Sequence, residues 1–176
     1  PSRGLGDVYK RQAVGTVKTP PELNLEEPKE LADAVFNMGL SYAVITVVNR
    51  DDLQDGGAMH YRDCILEVAS KNPDVGLELL CSDLDGNLEA LEELLDGLPL
   101  RVFAHNVECV PRLDSIVRDR RASFEQSLDI LRKAKELRQD LLTKTSLMVG
   151  LGESDEEVEE ALKMIRDAGV DMITLG

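Results

Sequence analysis

The strongest constraint on this chain is a unit that recurs along it: an apolar, β-branched run, a polar or glycine-rich turn, then an amphipathic helix. Apolar runs begin near Ala43 (Ala-Val-Ile-Thr-Val-Val), Gly76 (Gly-Leu-Glu-Leu-Leu-Cys), Arg101 (Arg-Val-Phe-Ala), Leu142 (Leu-Thr-Lys-Thr-Ser-Leu-Met-Val) and Met172 (Met-Ile-Thr-Leu). Their spacing of roughly 25 to 40 residues is that of a strand plus its crossover helix. Near-continuous apolar runs alternating with helices predict a parallel sheet covered by helices. At 176 residues the chain falls short of a complete eight-unit α/β barrel, which takes roughly 250.

Helical periodicity fills the intervals. Leu31, Val35 and Met38 share one face, as do Leu88, Leu91 and Leu95; Leu128, Leu131 and Ala134; and Val158, Ala161, Leu162 and Ile165. Ser123 with Gln126 and Ser154 with Glu157 have capping-box spacing, and Gly39, Gly97 and Gly169 stand where a helix would stop on a left-handed residue. His60 reads as the start of a further helix.

Charge and cysteine usage narrow the function. A formal net charge of -14 repels phosphate, and no basic stripe with interleaved aromatics occurs, which argues against nucleic acid as a partner. No apolar run approaches the roughly 20 residues of a membrane span, so a soluble protein is expected. Cys64, Cys81 and Cys109 form neither a CxxC pair nor a disulfide framework, and reduced thiols are expected. Residues 1–12 hold three cations and one anion and share no period with the rest of the chain. They read as an artefactual segment, such as a translated adapter, ahead of a single α/β domain over 13–176.

In parallel α/β folds ligands gather at the carboxyl ends of the strands. Those positions here hold Asn49-Arg50-Asp51-Asp52, Ser82-Asp83, His105-Asn106-Val107-Glu108 and Gly150-Leu151-Gly152-Glu153. Asn106 and Glu108, two apart on an extended segment, would face one side and suit a hydroxylated ligand; a hydrogen-bonded strand end accounts for them equally. Arg50, Asp51 and Asp52 could line the mouth or serve as solvated turn residues. His105 has no second His or Cys at ligand spacing and reads as a satisfied rim or core histidine. Lys144 could reach an anion or simply extend to the rim. Gly150 and Gly152 before a capped helix allow close backbone approach to a ligand.

The strings themselves resemble those of lipoyl synthase, a family of radical S-adenosylmethionine enzymes. Arg50-Asp51-Asp52-Leu53-Gln54-Asp55-Gly56-Gly57-Ala58-Met59-His60 is similar to its R-D-D-L-x-D-G-G-A-x-H signature, and Phe103-Ala104-His105-Asn106-Val107-Glu108 to its F-A-H-N-x-E segment. Val117-Arg118-Asp119 with Glu125-Gln126-Ser127-Leu128, Leu142-Thr143-Lys144-Thr145-Ser146 with Gly150-Leu151-Gly152-Glu153, and Thr174-Leu175-Gly176 come next, in family order. The resemblance runs from about Ala13 to Gly176. Departures include Asn49 for Asp, Leu84-Asp85 for Phe and a longer polar residue, Cys109 for Thr, Arg120 for Pro and Phe124 for Tyr. Gln12 stands where the third cysteine of the family's C-x3-C-x-x-C motif would be, and the other two cysteines are absent.

The resemblance implies a partial (β/α) barrel of the radical SAM type, about five parallel strands with covering helices, lacking the first strand. It implies sulfur insertion at C6 and C8 of a protein-bound octanoyl group, with S-adenosylmethionine and two 4Fe-4S clusters in the full-length family. Partners would be octanoylated carrier domains: the lipoyl domains of 2-oxoacid dehydrogenase E2 subunits and the glycine cleavage H protein. The compartment would be the bacterial cytoplasm, mitochondrion or plastid. Asn106, Glu108, Ser146, Gly150, Gly152 and Glu153 fall to S-adenosylmethionine, and Arg50, Asp51, Asp52, His105 and Lys144 to the substrate or mouth. Without the cysteine motif, this chain alone is expected to hold no cluster and to be inactive. The competing readings are a catalytically dead barrel that binds or regulates, and an aldolase-type or phosphate-binding barrel using Lys144.

Overall fold

A computed structural model describes residues 20–176; the readings that fall on residues 1–12, Gln12 included, lie outside the described residues. Five strands form one parallel sheet: β1 (Tyr42–Thr46), β2 (Gly76–Leu80), β3 (Val102–Ala104), β4 (Leu142–Leu147) and β5 (Met172–Leu175), in the spatial order β1-β2-β3-β4-β5. Each apolar run of the sequence supplies one of them. The connections carry helices α1 (Glu27–Met38), α2 (Ala58–Lys71), α3 (Leu88–Leu95), the short α4 (Asp114–Val117), α5 (Phe124–Leu137) and α6 (Asp155–Asp167). Single 3₁₀ turns over Leu84–Gly86 and Pro111–Leu113 add to the β2–α3 and β3–α4 connections.

The sheet has two unlike faces. Leu77, Leu79, Phe103, Thr143, Thr145 and Leu147 are buried on the outer face against Ile65, Val68, Leu91, Leu94, Leu128 and Leu131 of the helices. Each such leucine contributes roughly 1.5–3 kcal/mol of burial free energy. The inner face carries Tyr42, Val44, Glu78, Val102, Ala104, Lys144 and Ser146, as the period of two requires.

Local chemistry sets the helix ends. Ser154 and Glu157 form the full capping box at α6, and Asn87 caps α3 by accepting from the Ala90 amide at 3.0 Å. Ser123 accepts from the Gln126 amide at 3.1 Å, but the reciprocal half of that box is not made, because the Gln126 amide group donates instead to Asp83 at 2.9 Å. Asp55 accepts from the Gly57 and Met59 amides, both at 3.0 Å, where α2 begins. Gly39 adopts φ 61 and ends α1 as expected.

Candidate functional site

The carboxyl ends of β1, β2 and β3 open onto a cavity of about 370 Å³ lined by Asn49, Ser82, Asp83, His105, Asn106, Glu108, Arg118 and Asp119, with Leu80, Val117 and Met148 as apolar wall. Its centre is the segment after β3. His105 is buried, with Nδ1 2.9 Å from the Cys81 carbonyl and Nε2 2.9 Å from Ser127 Oγ. A carbonyl only accepts, so Nδ1 is assigned the proton; Ser127, which accepts from Arg118 Nη2 at 2.9 Å, then donates to Nε2. Burial pushes the His105 pKa down, overriding the opposing effect of the Cys81 carbonyl. The imidazole is therefore a neutral strut, its two nitrogens both engaged.

Asn106 and Glu108 are brought together on this cavity, and neither side chain has a hydrogen-bond partner among the described residues. Glu108 adopts φ 68, in the left-handed region that a side chain disfavours. The Cys109 amide donates to the Val107 carbonyl at 2.9 Å across it, the hydrogen bond of a γ-turn. The residue is anchored to β4 on both sides, its amide donating to Ser146 O at 3.1 Å and its carbonyl accepting from the Met148 amide at 2.8 Å. Strained residues of this kind cluster at binding sites. Periodicity contains no signal for it.

The other sequence-predicted residues are distributed differently. Arg50 makes a two-pronged pair with Asp52, Nε and Nη2 each donating at 2.8 Å, and neither lines the cavity. Asp51 accepts from Arg121 at 2.6 Å and borders a separate cleft of about 130 Å³, with Leu84, Asp85 and Asn87. Leu84 and Asp85 there have φ 48 and 54, two consecutive left-handed residues at a place where the sequence departs from the family strings. Lys144 does not extend to the rim. Its ammonium donates to Glu78 Oε1 at 2.8 Å on the inner sheet face, and Tyr42 donates to the other carboxylate oxygen at 2.8 Å. Ser146 sits on the same face of β4 as Lys144.

The Gly150–Glu153 loop lines neither cavity. Glu153 closes the loop on itself by accepting from the amides of Gly150 and Leu151, and its own amide first, then those of Gly150 and Leu151, hold its carboxyl below the usual range. Arg112 clamps the loop from outside, donating to Gly152 O at 2.7 Å and to both carboxylate oxygens of Glu157. Residues that sequence reasoning did not single out as site positions, Cys81 and Ala122, also line the main cavity.

Among the described residues no group of three or more His, Cys, Asp or Glu side chains is placed to hold a metal ion. The three cysteines lie on α2, at the end of β2 and after β3; all are buried, and burial pushes their thiols up to about 11 for Cys64 and about 12 for Cys81 and Cys109. A thiol so shifted is a poor source of the thiolate that a cluster needs. The cysteine set therefore does not fit an iron-sulfur cluster.

Comparisons with known proteins agree with this architecture. The chain is 50% identical over 165 residues to the mitochondrial lipoyl synthase of Trypanosoma brucei gambiense, covering 93% of this chain and 40% of that protein. It is 51% identical over 176 residues to that of Pyrenophora tritici-repentis (98% and 42%) and 47% identical over 177 residues to that of Bos taurus (98% and 47%). The chain thus spans less than half the length of these relatives. Among solved structures, methylornithine synthase superposes with a TM-score of 0.70 at 14% identity, over 91% of this chain and 45% of that one. HydG, a maturase of the FeFe-hydrogenase, gives 0.63 at 13%, over 90% and 37%. At such identities these two bear on the fold alone, that of a partial α/β barrel. The model of the Radical SAM superfamily matches residues 8–165, and with the parallel sheet and its mouth in place, the chain belongs to that superfamily.

Proposed function

We propose that this chain is the barrel segment of a lipoyl synthase, the enzyme that inserts sulfur at C6 and C8 of a protein-bound octanoyl group. The observation that carries this reading is the identity of about half of all residues, over more than nine-tenths of the chain, to proteins named mitochondrial lipoyl synthase. The main cavity takes S-adenosylmethionine, with Asn106 and Glu108 as its recognition pair. Its volume suits a small molecule, and an acidic acceptor beside an amide that both donates and accepts matches a ribose diol.

Bound in this cavity, S-adenosylmethionine would be the source of the radical that the proposed reaction requires, and the three cysteines of this chain would not hold the cluster that reduces it. The residues of this chain bind and aim. Asn106 and Glu108 hold the nucleoside, the neutral His105 strut fixes the floor of the site through Cys81 and Ser127, and Leu80, Val117 and Met148 exclude water. No step is assigned to Cys64, Cys81 or Cys109. The substrates are octanoylated carrier domains, those of 2-oxoacid dehydrogenases and the glycine cleavage H protein. The compartment in the relatives' names, the mitochondrion, is carried over; no helix among the described residues is long and apolar enough to cross a membrane.

The test is a chimera in which residues 20–176 replace the matching segment of the Bos taurus relative. Incubation with octanoylated H protein, S-adenosylmethionine and a reductant should yield the dithiolated product by mass spectrometry. A soluble chimera that carries its clusters and binds S-adenosylmethionine but leaves the octanoyl group unaltered would overturn the proposal in favour of a binding barrel.

A further inference from the structure

Val107, which joins the two cavity residues Asn106 and Glu108, is held by side chains at both of its backbone polar atoms. Its N–H donates to Thr145 Oγ1 at 3.1 Å, and its carbonyl accepts from Arg118 Nη1 at 3.3 Å as well as from the Cys109 amide at 2.9 Å. Thr145 is fully buried on the outer face of β4 and does not line the cavity. The N–H it holds lies one residue ahead of Glu108 and its φ of 68. A strained backbone persists only where its surroundings over-determine it. Removing Thr145 Oγ1 would leave a buried amide without a partner, and the turn would be free to relax toward an extended conformation that turns the Glu108 carboxylate away from the cavity.

We propose that Thr145 is a positioning residue for the candidate site: by clamping the Val107 N–H it maintains the γ-turn on which Glu108 presents its carboxylate, and so sets ligand affinity without touching ligand. The proposal rests on the reading of the cavity as a nucleoside site. Its distinguishing feature is chemical. A hydroxyl acceptor is needed at position 145, whereas bulk alone is not enough, so Thr145→Ser preserves the function and the isosteric Thr145→Val does not.

The experiment uses the purified 176-residue chain with two readouts: amide exchange at Val107 and Glu108 by NMR, and calorimetric titration with S-adenosylhomocysteine. Thr145→Val is expected to speed exchange at both amides and to weaken S-adenosylhomocysteine by about tenfold, the size of one lost buried hydrogen bond. Thr145→Ser is expected to match the parent in both. Parent-like exchange in a folded Thr145→Val chain overturns the clamp, and faster exchange with unchanged affinity overturns its role in binding. If Thr145→Val does not fold, an affinity for Thr145→Ser as weak as that of Glu108→Gln overturns the proposal. A parent chain that shows no binding refutes the nucleoside reading itself, an outcome that the exchange data keep separate from the clamp.

Discussion

Lys144 and Glu78 meet across an intervening strand: the ammonium on β4 reaches the carboxylate on β2 at 2.8 Å by passing over β3, where the neighbouring register positions are the small Ala104 and Val102. Glu78 is only 4% exposed, and Lys144 and Tyr42 are the side chains that bond its carboxylate. Lys144→Met is expected to destabilise the fold by about 2 kcal/mol, because an uncompensated buried carboxylate costs more than the pair contributes. The double variant Lys144→Met with Glu78→Met should recover most of the loss, and a urea-denaturation double-mutant cycle measures it. Additive losses would contradict the pairing.

The same carboxylate acts on Tyr42. Burial first, and the Glu78 hydrogen bond and charge next, push the phenol up to about 12. Glu78→Gln should bring that value down toward the ordinary tyrosine range, as read by ultraviolet titration of the phenolate band.

Acid should weaken the fold through His105. Its folded pKa lies below the 6.5 of a free histidine, chiefly through burial, so between those two values the unfolded chain binds the proton more readily. This contribution is therefore intact above pH 6.5 and is lost as pH falls toward the folded value. Asp114, pushed up by burial, acts in the opposite sense at lower pH, where its folded form holds a proton that the unfolded one releases. Chemical denaturation across this range should show a pH-dependent loss that His105→Gln diminishes.

Tyr61 ties down the segment that carries Arg50, Asp51 and Asp52. Its hydroxyl lies 2.7 Å from Gly56 O and 2.9 Å from Val48 O. Tyr61→Phe should cost about 1 kcal/mol and increase protease sensitivity in residues 49–57. Gly57→Ala should cost more, about 2–4 kcal/mol, since φ is +90 and an added Cβ would meet the Tyr61 hydroxyl at 2.6 Å. Equal stability of the glycine and alanine proteins would refute the argument.

Glu108 offers a test in which stability and binding part company. Glu108→Gly relieves the positive φ while removing the carboxylate, so stability is expected to hold or to rise by up to about 1 kcal/mol. Binding of S-adenosylhomocysteine should fall in the same protein. A variant that loses both would mean that the carboxylate supports the fold.

Much of the architecture is legible in one dimension because its causes are local. Continuous apolar runs give the five strands, and Ser154 with Glu157 announces the start of α6 from three residues away. Asn106 and Glu108 do line one cavity, but on a γ-turn and not on the extended segment that the spacing of two presumed. Features that depend on partners distant in sequence escape. Gln126 abandons its cap for Asp83, 43 residues away, and Lys144 is drawn inward by Glu78, 66 residues away. The Gly150–Glu153 loop differs, since its closure is local. A carboxylate two or three residues beyond free amides can satisfy them, and that signal stands in the sequence beside the ligand-approach reading.

The sheet's spatial order repeats its chain order, β1 to β5 without a crossing. Such a sheet assembles like a folding screen, each new panel hinging onto the last one laid down. During synthesis a strand needs only its predecessor as template, so the growing chain never waits for a distant segment to complete a pairing. On the inner face Glu78 and Lys144 can pair as soon as β4 is laid beside β3.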